Sequence, residues 1–268
     1  MPELSTILIA FGLTLLAGLS TGIGALISFF SKSSDTRVLA CALGLSAGVM
    51  VYISFMELMP QAVDVLTTVY PDRQAMSLML LAFFGGIGLI ALIDRLVPED
   101  ENPHENHSLS ELSKPDGSHH HLKRTGMMLA LAIGIHNFPE GMATFVSAID
   151  GLEVALPIVI AIAIHNIPEG IAVSVPIYHS TGNRRKAIGY TLLSGLAEPV
   201  GALVGMAFLL PFWTPIVNAF CLASVAGVMV YIAFDELLPN AESFGHHHLS
   251  LSGVIVGMAV MAVTMLVL

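Results

Sequence analysis

Long apolar runs separated by polar breaks make up most of the sequence. A helix needs about 20 apolar residues to cross a bilayer, so these runs predict eight transmembrane helices and an all-α, polytopic membrane fold. Their approximate limits are residues 6–30, 38–59, 76–97, 127–148, 154–178, 187–211, 216–238 and 249–268. One break is long, residues 98–123, and its Asp, Glu, Ser, Pro and His content without an apolar period predicts a mobile, water-exposed loop.

Two stretches of this pattern occur twice. The sequence AGVMVYISFMELMP, from Ala47, returns as AGVMVYIAFDELLP, from Ala226, with 11 of 14 positions identical. The shorter IHNFPEGMA, from Ile135, returns as IHNIPEGIA, from Ile164. Each pair lies in spans that cross in opposite directions, as in an inverted-topology repeat. We therefore expect a single transmembrane domain, residues 1–268, built as a 3+2+3 bundle in which spans one to three mirror six to eight and four mirrors five.

The basic residues indicate the orientation, because Lys and Arg in short loops stay on the cytoplasmic side. Nine of the ten fall on one side if the breaks after spans one, three and five are cytoplasmic: Lys32, Arg37, Arg95, Lys114, Lys123, Arg124, Arg184, Arg185 and Lys186. Arg73 lies on the other side. With an even number of spans, both termini are then expected to be extracytoplasmic.

Composition agrees with a membrane protein. Apolar residues make up 55% of the 268, charged residues 11%, and the mean hydropathy of +0.81 is far above that of soluble domains. The start, MPELSTILIA, has no basic segment or cleavage site, so we expect a retained first helix. Cys41 and Cys221 lie in apolar runs without metal-type spacing and are expected to be packing residues. Several acids behind the net charge of −10 lie inside apolar runs, and we expect no nucleic-acid partner.

The doubled motif places costly polar residues inside apolar helices. Residues four apart share a helix face and residues three apart nearly do. His136 and Glu140 are therefore expected to form one clamp, and Asn137 and Glu140 an adjacent one. The second copy repeats this arrangement with His165, Asn166 and Glu169.

Span six adds a third glutamate, Glu198 in SGLAEPVG. Each ionised glutamate at the bilayer centre costs from about 2.5 to more than 10 kcal/mol, and no Lys or Arg at a span centre is available to offset it. Protons or bound divalent cations must do so. Imidazole, carboxylate and amide donors without thiolate suit Zn2+, Fe2+, Mn2+, Co2+ or Cd2+, and shared glutamates permit a two-metal site. The alternative is that the histidines and asparagines only tie helices together through hydrogen bonds.

The chain resembles the ZIP family of metal transporters in its motifs IHNFPEG and IHNIPEG and in the glutamate of GLAE. The resemblance is greatest to the bacterial ZupT-type branch and extends across essentially all eight spans. The resemblance implies two adjacent metal sites: the first from His136, Glu140, His165 and Glu169, and the second from Asn137, Glu140, Asn166, Glu169 and Glu198. It also implies uptake of a broad range of divalent metals across a bacterial inner membrane, with an elevator-like movement of the site-bearing helices. The HExPHE form of span five in one eukaryotic branch is missing, so that branch's selectivity is not implied.

Further polar residues surround this core. The long repeat places Glu57 at the outer mouth and Asp235 with Glu236 at the inner mouth, where they could guide cations or simply solvate helix ends. Histidines on the predicted cytoplasmic side could collect or sense metal, or belong to tolerated polar loops. They are His104, His107, His119, His120 and His121 in the long break, and His246, His247 and His248 before the last span.

Small-xxx-small spacings allow helices to approach closely, either within one subunit or between two copies in a homodimer. They join Gly18 with Gly22, Gly44 with Gly48, Gly201 with Gly205 and Gly253 with Gly257.

Two functions are compatible with the motif. One is transport of divalent metals, with lipid around the bundle, the metal as bound substrate and no cofactor. The other is an intramembrane zinc-dependent hydrolase, which would need an open coordination position and commonly HExxH or three histidines. The symmetric, doubled HNxPE motif favours transport.

Overall fold

The computed structural model describes residues 3–30, 36–96, 118–208, 212 and 214–267, and their regular structure is entirely helical. The helices are α1 (Leu4–Phe30), α2 (Thr36–Ile53), α3 (Met59–Thr67), α4 (Asp72–Leu96), α5 (Ser118–Asp150), α6 (Leu152–Thr181), α7 (Arg184–Gly195), α8 (Ala197–Phe208), α9 (Pro215–Ile232), α10 (Leu238–Ser243) and α11 (His247–Val267). Two π-helical segments, Ser54–Leu58 and Ala233–Leu237, join α2 to α3 and α9 to α10.

The described residues of each of the eight predicted spans fall on one helix or on consecutive helices. Within the described residues, seven such stretches are both long and apolar enough to cross a membrane: Leu4–Ile27, Thr36–Thr67, Asp72–Arg95, Ala155–Val175, Arg184–Phe208, Pro215–Ser243 and His247–Val267. The fourth predicted span lies on α5, whose 33 residues are long enough for a crossing. The chain is therefore an all-helical, multi-span membrane protein.

Two predicted boundaries differ from the structure. The second span was expected to end at residue 59, but the helix continues to Thr67 because α3 buries Ala62 and Leu66. The loop predicted over residues 98–123 is wrong in its last six residues, since α5 begins at Ser118. Extending an existing helix needs no new nucleus, so polar residues are added to it at low cost. The rest of that loop lies outside the described residues.

The two π-helical segments occupy equivalent positions of the long repeat. Each ends two residues before a proline, Pro60 or Pro239. A proline has no N–H to donate and its ring crowds the carbonyl four residues back, and a wider turn relieves that crowding. The residue after each segment donates its N–H to the carbonyl five residues earlier. Each wide turn contains one glutamate, Glu57 or Glu236.

Glycines bring the motif-bearing helices into backbone contact with their neighbours. The most extensive helix pairs are α1 with α6, α5 with α6, α5 with α8, α2 with α11 and α4 with α9. A Cβ on Gly141 of α5 would overlap the backbone of Glu198 on α8, and one on Gly170 of α6 would overlap that of Thr21 on α1. Helices α5 and α6 are thus enclosed by α1 and α8, with the doubled motif between them.

The small-xxx-small glycines pack within one molecule. A Cβ on each would meet a helix of the same chain: α7 for Gly18 and Gly22, α11 for Gly44 and Gly48, α5 for Gly201 and Gly205, and α2 for Gly253 and Gly257. Their close contacts therefore match the first of the two interpretations, packing inside a subunit.

Candidate metal site

All seven side chains of the predicted core site lie in the protein interior, on α5, α6 and α8. None is more than 1% exposed: His136, Asn137, Glu140, His165, Asn166, Glu169 and Glu198. The helical spacing within each motif puts its histidine, asparagine and glutamate toward one side, and the packing of α5 against α6 sets the two copies face to face.

The histidines pair across the two helices. Nε2 of His136 lies 3.2 Å from Oε2 of Glu169, and Nε2 of His165 lies 3.1 Å from Oε2 of Glu140. The sequence predicted clamps within each copy of the motif, whereas these hydrogen bonds join one copy to the other. The reason is that α5 and α6 lie against each other, so each histidine meets the glutamate of the opposite helix.

The two asparagines use their amide N–H groups in the same way. Nδ2 of Asn137 donates to the backbone carbonyl of Ser194, at 3.3 Å, and Nδ2 of Asn166 donates to that of Ala17, at 3.0 Å. Asn166 also donates to Oε1 of Glu198. Both carboxamides are thereby oriented by a carbonyl of a neighbouring helix, which leaves their oxygens available.

Several buried acceptors at this site have no hydrogen-bond partner among the described residues. They are Oδ1 of Asn137, Oδ1 of Asn166, Oε1 of Glu140, Oε2 of Glu198 and Nδ1 of His165. Buried polar atoms are nearly always paired, and an unpaired group costs about 1–3 kcal/mol, so such a cluster calls for an explanation. Oxygen and imidazole atoms of this kind are the donors that borderline divalent cations accept. No three of the described His, Cys, Asp and Glu side chains, however, surround one point closely enough to hold an ion.

Ser46 of α2 is a site residue that sequence reasoning missed. Its hydroxyl is fully buried and donates to Oε1 of Glu169, at 2.8 Å. Together with His136 this occupies both carboxylate oxygens of Glu169, whereas Oε1 of Glu140 has no partner among the described residues. The long repeat carried the signal, because the residue before AGVMVY is Ser46 in one copy and Val225 in the other.

The three acidic residues predicted at the mouths have different surroundings. Glu236 does not lie at a water-exposed mouth: it is fully buried, and its Oε2 is 3.7 Å from Nδ1 of His136. The π-helical turn directs it inward, toward His136 of the candidate site. Asp235 is half-buried, and so is Glu57, which accepts a hydrogen bond from Gln61. Equivalent glutamates of the repeat thus have unlike partners.

The predicted histidine loops are described only in part. His104 and His107 lie outside the described residues, and His119, His120 and His121 belong to the first turns of α5, where the backbone alone is described. Nε2 of His246 lies 3.0 Å from the hydroxyl of Thr36, and Nδ1 of His247 lies 2.9 Å from Oε1 of Glu242. These contacts join the start of α11 to α2 and to the end of α10.

The chain is similar over its length to known transporters. A family model described as ZIP zinc transporter matches residues 97–265. The chain is 54% identical over 268 residues to the zinc transporter ZupT of Nitratidesulfovibrio vulgaris, with 97% of each chain covered. It is 55% identical over 263 residues to the zinc transporter ZupT of Akkermansia muciniphila, with 97% of each covered. Identity to the zinc transporter ZupT of Streptococcus mutans is 54% over 257 residues, with 96% of each covered.

Proposed function

Because the chain belongs to the ZIP family of metal transporters, we propose that it takes up Zn2+, and also Fe2+, Mn2+, Co2+ and Cd2+, into the cytoplasm of a bacterium. The family is one of transporters and not of enzymes, so the intramembrane hydrolase interpretation is set aside. The metal is the bound substrate. The outward apolar side chains of α4 and α11, among them Leu81, Phe84 and Ile255, are proposed to contact lipid.

The proposed path runs through a binuclear site. One cation would be held by the imidazoles and shared glutamates: His136, Glu140, His165 and Glu169. The other would be held by the oxygens at the far side of the same glutamates: Asn137, Glu140, Asn166, Glu169 and Glu198. The observation that carries the proposal is the set of buried oxygens without a hydrogen-bond partner among the described residues. A divalent cation would satisfy these oxygens and offset the repulsion between the three carboxylates.

The helix pairs support the proposed inverted repeat. Spans one to eight correspond to α1, α2–α3, α4, α5, α6, α7–α8, α9–α10 and α11. The repeat exchanges span one with six, two with seven, three with eight and four with five. Under this exchange the pair α1–α6 becomes α8–α5, and the pair α2–α11 becomes α9–α4. All four are among the most extensive pairs of the structure. We infer a 3+2+3 bundle in the inner membrane, with both termini extracytoplasmic on the distribution of basic residues.

Glu236 is proposed to assist release of the cation. Its carboxylate lies beside His136, so a cation leaving the first position would find a new oxygen ligand before it reaches water. Asp235, half-buried on the same turn, is the next carboxylate along the chain. We propose that movement of α5 and α6 relative to the other helices exposes the site to each side in turn.

Metal flux into proteoliposomes tests the function. We expect the purified protein to transport Zn2+, Fe2+, Mn2+ and Cd2+, and Glu140→Ala to abolish transport because the shared carboxylate is removed. Glu153→Ala is the matched control, since this glutamate is exposed at the start of α6 and should transport normally. Normal flux through Glu140→Ala would refute the site, and absence of flux through the unmodified protein would refute the function.

A further inference from the structure

A third, weaker repeat relates the first and sixth spans. The sequence AGLSTGIG, residues 17–24, aligns with SGLAEPVG, residues 194–201, with three of eight positions identical. In this alignment Thr21 stands where the other copy has Glu198. The identity alone is too low to establish the correspondence, which rests on packing.

The packing places these two segments in equivalent surroundings. A Cβ on Gly24 would overlap the backbone carbonyl of Ile167, and one on Gly201 would overlap that of Phe138. Ile167 and Phe138 are the same position of the two motif copies, IHNIPEG and IHNFPEG. Three residues later in each motif a glycine meets the backbone of Thr21 in one copy and of Glu198 in the other. Thr21 is therefore the structural counterpart of Glu198.

The asparagines obey the same relation. Asn166 donates to the carbonyl of Ala17 and to Glu198, whereas Asn137 donates to the carbonyl of Ser194. Ala17 and Ser194 are aligned residues of this repeat. A side chain that faces Asn137 as Glu198 faces Asn166 would therefore come from position 21.

The Thr21 hydroxyl lies on the side of α1 that faces α7. A Cβ added to Gly195, the residue after Ser194, would be 2.9 Å from Oγ1 of Thr21. In the mirrored place, a Cβ added to Gly18 would be 3.4 Å from Cβ of Glu198. Thr21 thus reaches the strip of α7 on which the Asn137 carboxamide docks.

Its hydroxyl is also unlike its neighbours on α1. Thr14 and Ser20, both buried, donate to carbonyls of their own helix, at 3.0 and 2.6 Å. Thr21 is fully buried, and its Oγ1 has no hydrogen-bond partner among the described residues. A buried hydroxyl that neither bonds back to its helix nor finds a protein partner is costly, and a bound ligand would remove that cost.

We propose that Thr21 supplies a neutral oxygen ligand to the second cation position, opposite Glu198 and beside Asn137. The inference rests on the proposed function. It gives the second position one carboxylate and one hydroxyl from the two repeat-related helices, instead of two carboxylates. A less negative set of ligands holds the cation less tightly, which favours the release that a transport site needs.

Equilibrium binding of Zn2+ to the purified full-length protein tests the proposal. We expect two Zn2+ ions to bind in two steps of different affinity. Thr21→Val, which keeps the shape and removes the hydroxyl, should lower the affinity of the lower-affinity step about tenfold, and Thr21→Ser should restore it. Ser20→Ala is the matched control, because its hydroxyl is already bonded within α1 and should not affect binding. Unchanged binding by Thr21→Val, or an equal loss by Ser20→Ala, would overturn the assignment.

A spectroscopic signature tests coordination directly and does not depend on the valine variant folding. In a background of Cys41→Ala and Cys221→Ala, we expect Thr21→Cys to give an ultraviolet sulfur-to-cadmium charge-transfer band on addition of Cd2+. Ser20→Cys should give none. Absence of the band from Thr21→Cys, or a band from both, would overturn the proposal. If the unmodified protein itself binds no Zn2+, the proposed function fails, whereas Zn2+ binding that is insensitive to position 21 refutes this inference alone.

Discussion

Glu140 and Glu169 occupy the same position in two copies of one motif, yet their surroundings differ. Ser46 and His136 bond both oxygens of Glu169, while Glu140 bonds to His165 through one oxygen. Glu169 is therefore fixed to α2, and Glu140 has the freer carboxylate. We infer that a cation meets one preset ligand and one that adjusts to it.

Removal of the Ser46 hydroxyl should weaken metal binding. A hydrogen bond to a carboxylate is worth about 1.5–3 kcal/mol, so we expect Ser46→Ala to raise the Zn2+ concentration for half-maximal uptake about tenfold, because Glu169 loses its preset orientation. The measurement is uptake into proteoliposomes over a range of Zn2+ concentrations.

Ser54→Ala is the control for this variant. Ser54 is buried further along the same span, but its hydroxyl donates to the carbonyl of Met50 in its own helix, at 2.7 Å. It should leave the half-maximal concentration unchanged. Equal effects of the two variants would assign Ser46 a role in packing only.

Single residues also show where sequence reasoning stops. The histidines, asparagines and glutamates of the candidate site could be singled out from the sequence, because each is costly in an apolar helix and the motif occurs twice. Their role as metal ligands stays a prediction. The sequence marked Ser46 only as a difference between the two copies of the long repeat, and it did not mark Thr21. A lone hydroxyl in an apolar run usually bonds back to its own helix, as Ser54 does. The roles of Ser46 and Thr21 appear only once the neighbouring helices are in place.

Helices α5 and α8 approach each other at a glycine, and this contact positions two of the three glutamates. We expect Gly141→Ala to destabilise the protein by about 1–3 kcal/mol, because its Cβ would overlap the backbone of Glu198 and neither helix can yield locally. Thermal unfolding in detergent, followed together with Zn2+ uptake, measures the effect. Both should fall.

Gly134→Ala, two turns earlier on α5, provides the comparison. Its Cβ would lie 3.8 Å from the nearest atom, Cα of Ser194, which is an ordinary contact. This variant should unfold at the same temperature as the unmodified protein, or higher, since alanine is the better helix former. A similar loss in both variants would show that glycine flexibility, rather than close packing, is required in α5.

Helix positions were predictable from hydropathy, but helix ends were less so. The second span continues past Pro60 to Thr67 because Ala62 and Leu66 face the core, although Gln61 and Asp64 lower the apolar content there. At the other kind of boundary, α5 begins in a polar histidine segment. Hydropathy reports where lipid surrounds a helix, whereas packing and helix propagation determine where the helix ends.

The molecule as a whole departs from the symmetry of its repeats. Glu236 is buried beside His136, whereas its counterpart Glu57 is half-buried and bonded to Gln61. The two copies share 11 of 14 residues, so sequence predicted their correspondence but not which of them closes on the site. Conformations in which one or the other glutamate is buried at the site differ by a few kcal/mol, and packing of the whole bundle decides between them. No local sequence pattern encodes that packing.

Cysteine labelling tests this asymmetry. In protein lacking Cys41 and Cys221, we expect Glu57→Cys to react with a water-soluble maleimide faster than Glu236→Cys, because the first position is half-exposed and the second is fully buried. Reaction of both variants after unfolding in detergent provides the reference. Equal or reversed rates in the folded protein would contradict the asymmetry.

On the proposed site, we expect the unpartnered buried oxygens to couple the supply of metal to the stability of the protein. Because a cation that binds only the folded chain stabilises it, Zn2+ at 100 times its dissociation constant should add about 2.7 kcal/mol to the free energy of unfolding. The midpoint of thermal unfolding should then rise with Zn2+ and fall with a chelator, but not in Glu140→Ala. In a cell starved of metal, the transporter would unfold and be degraded more often, so its amount in the membrane would fall when its substrate is scarce.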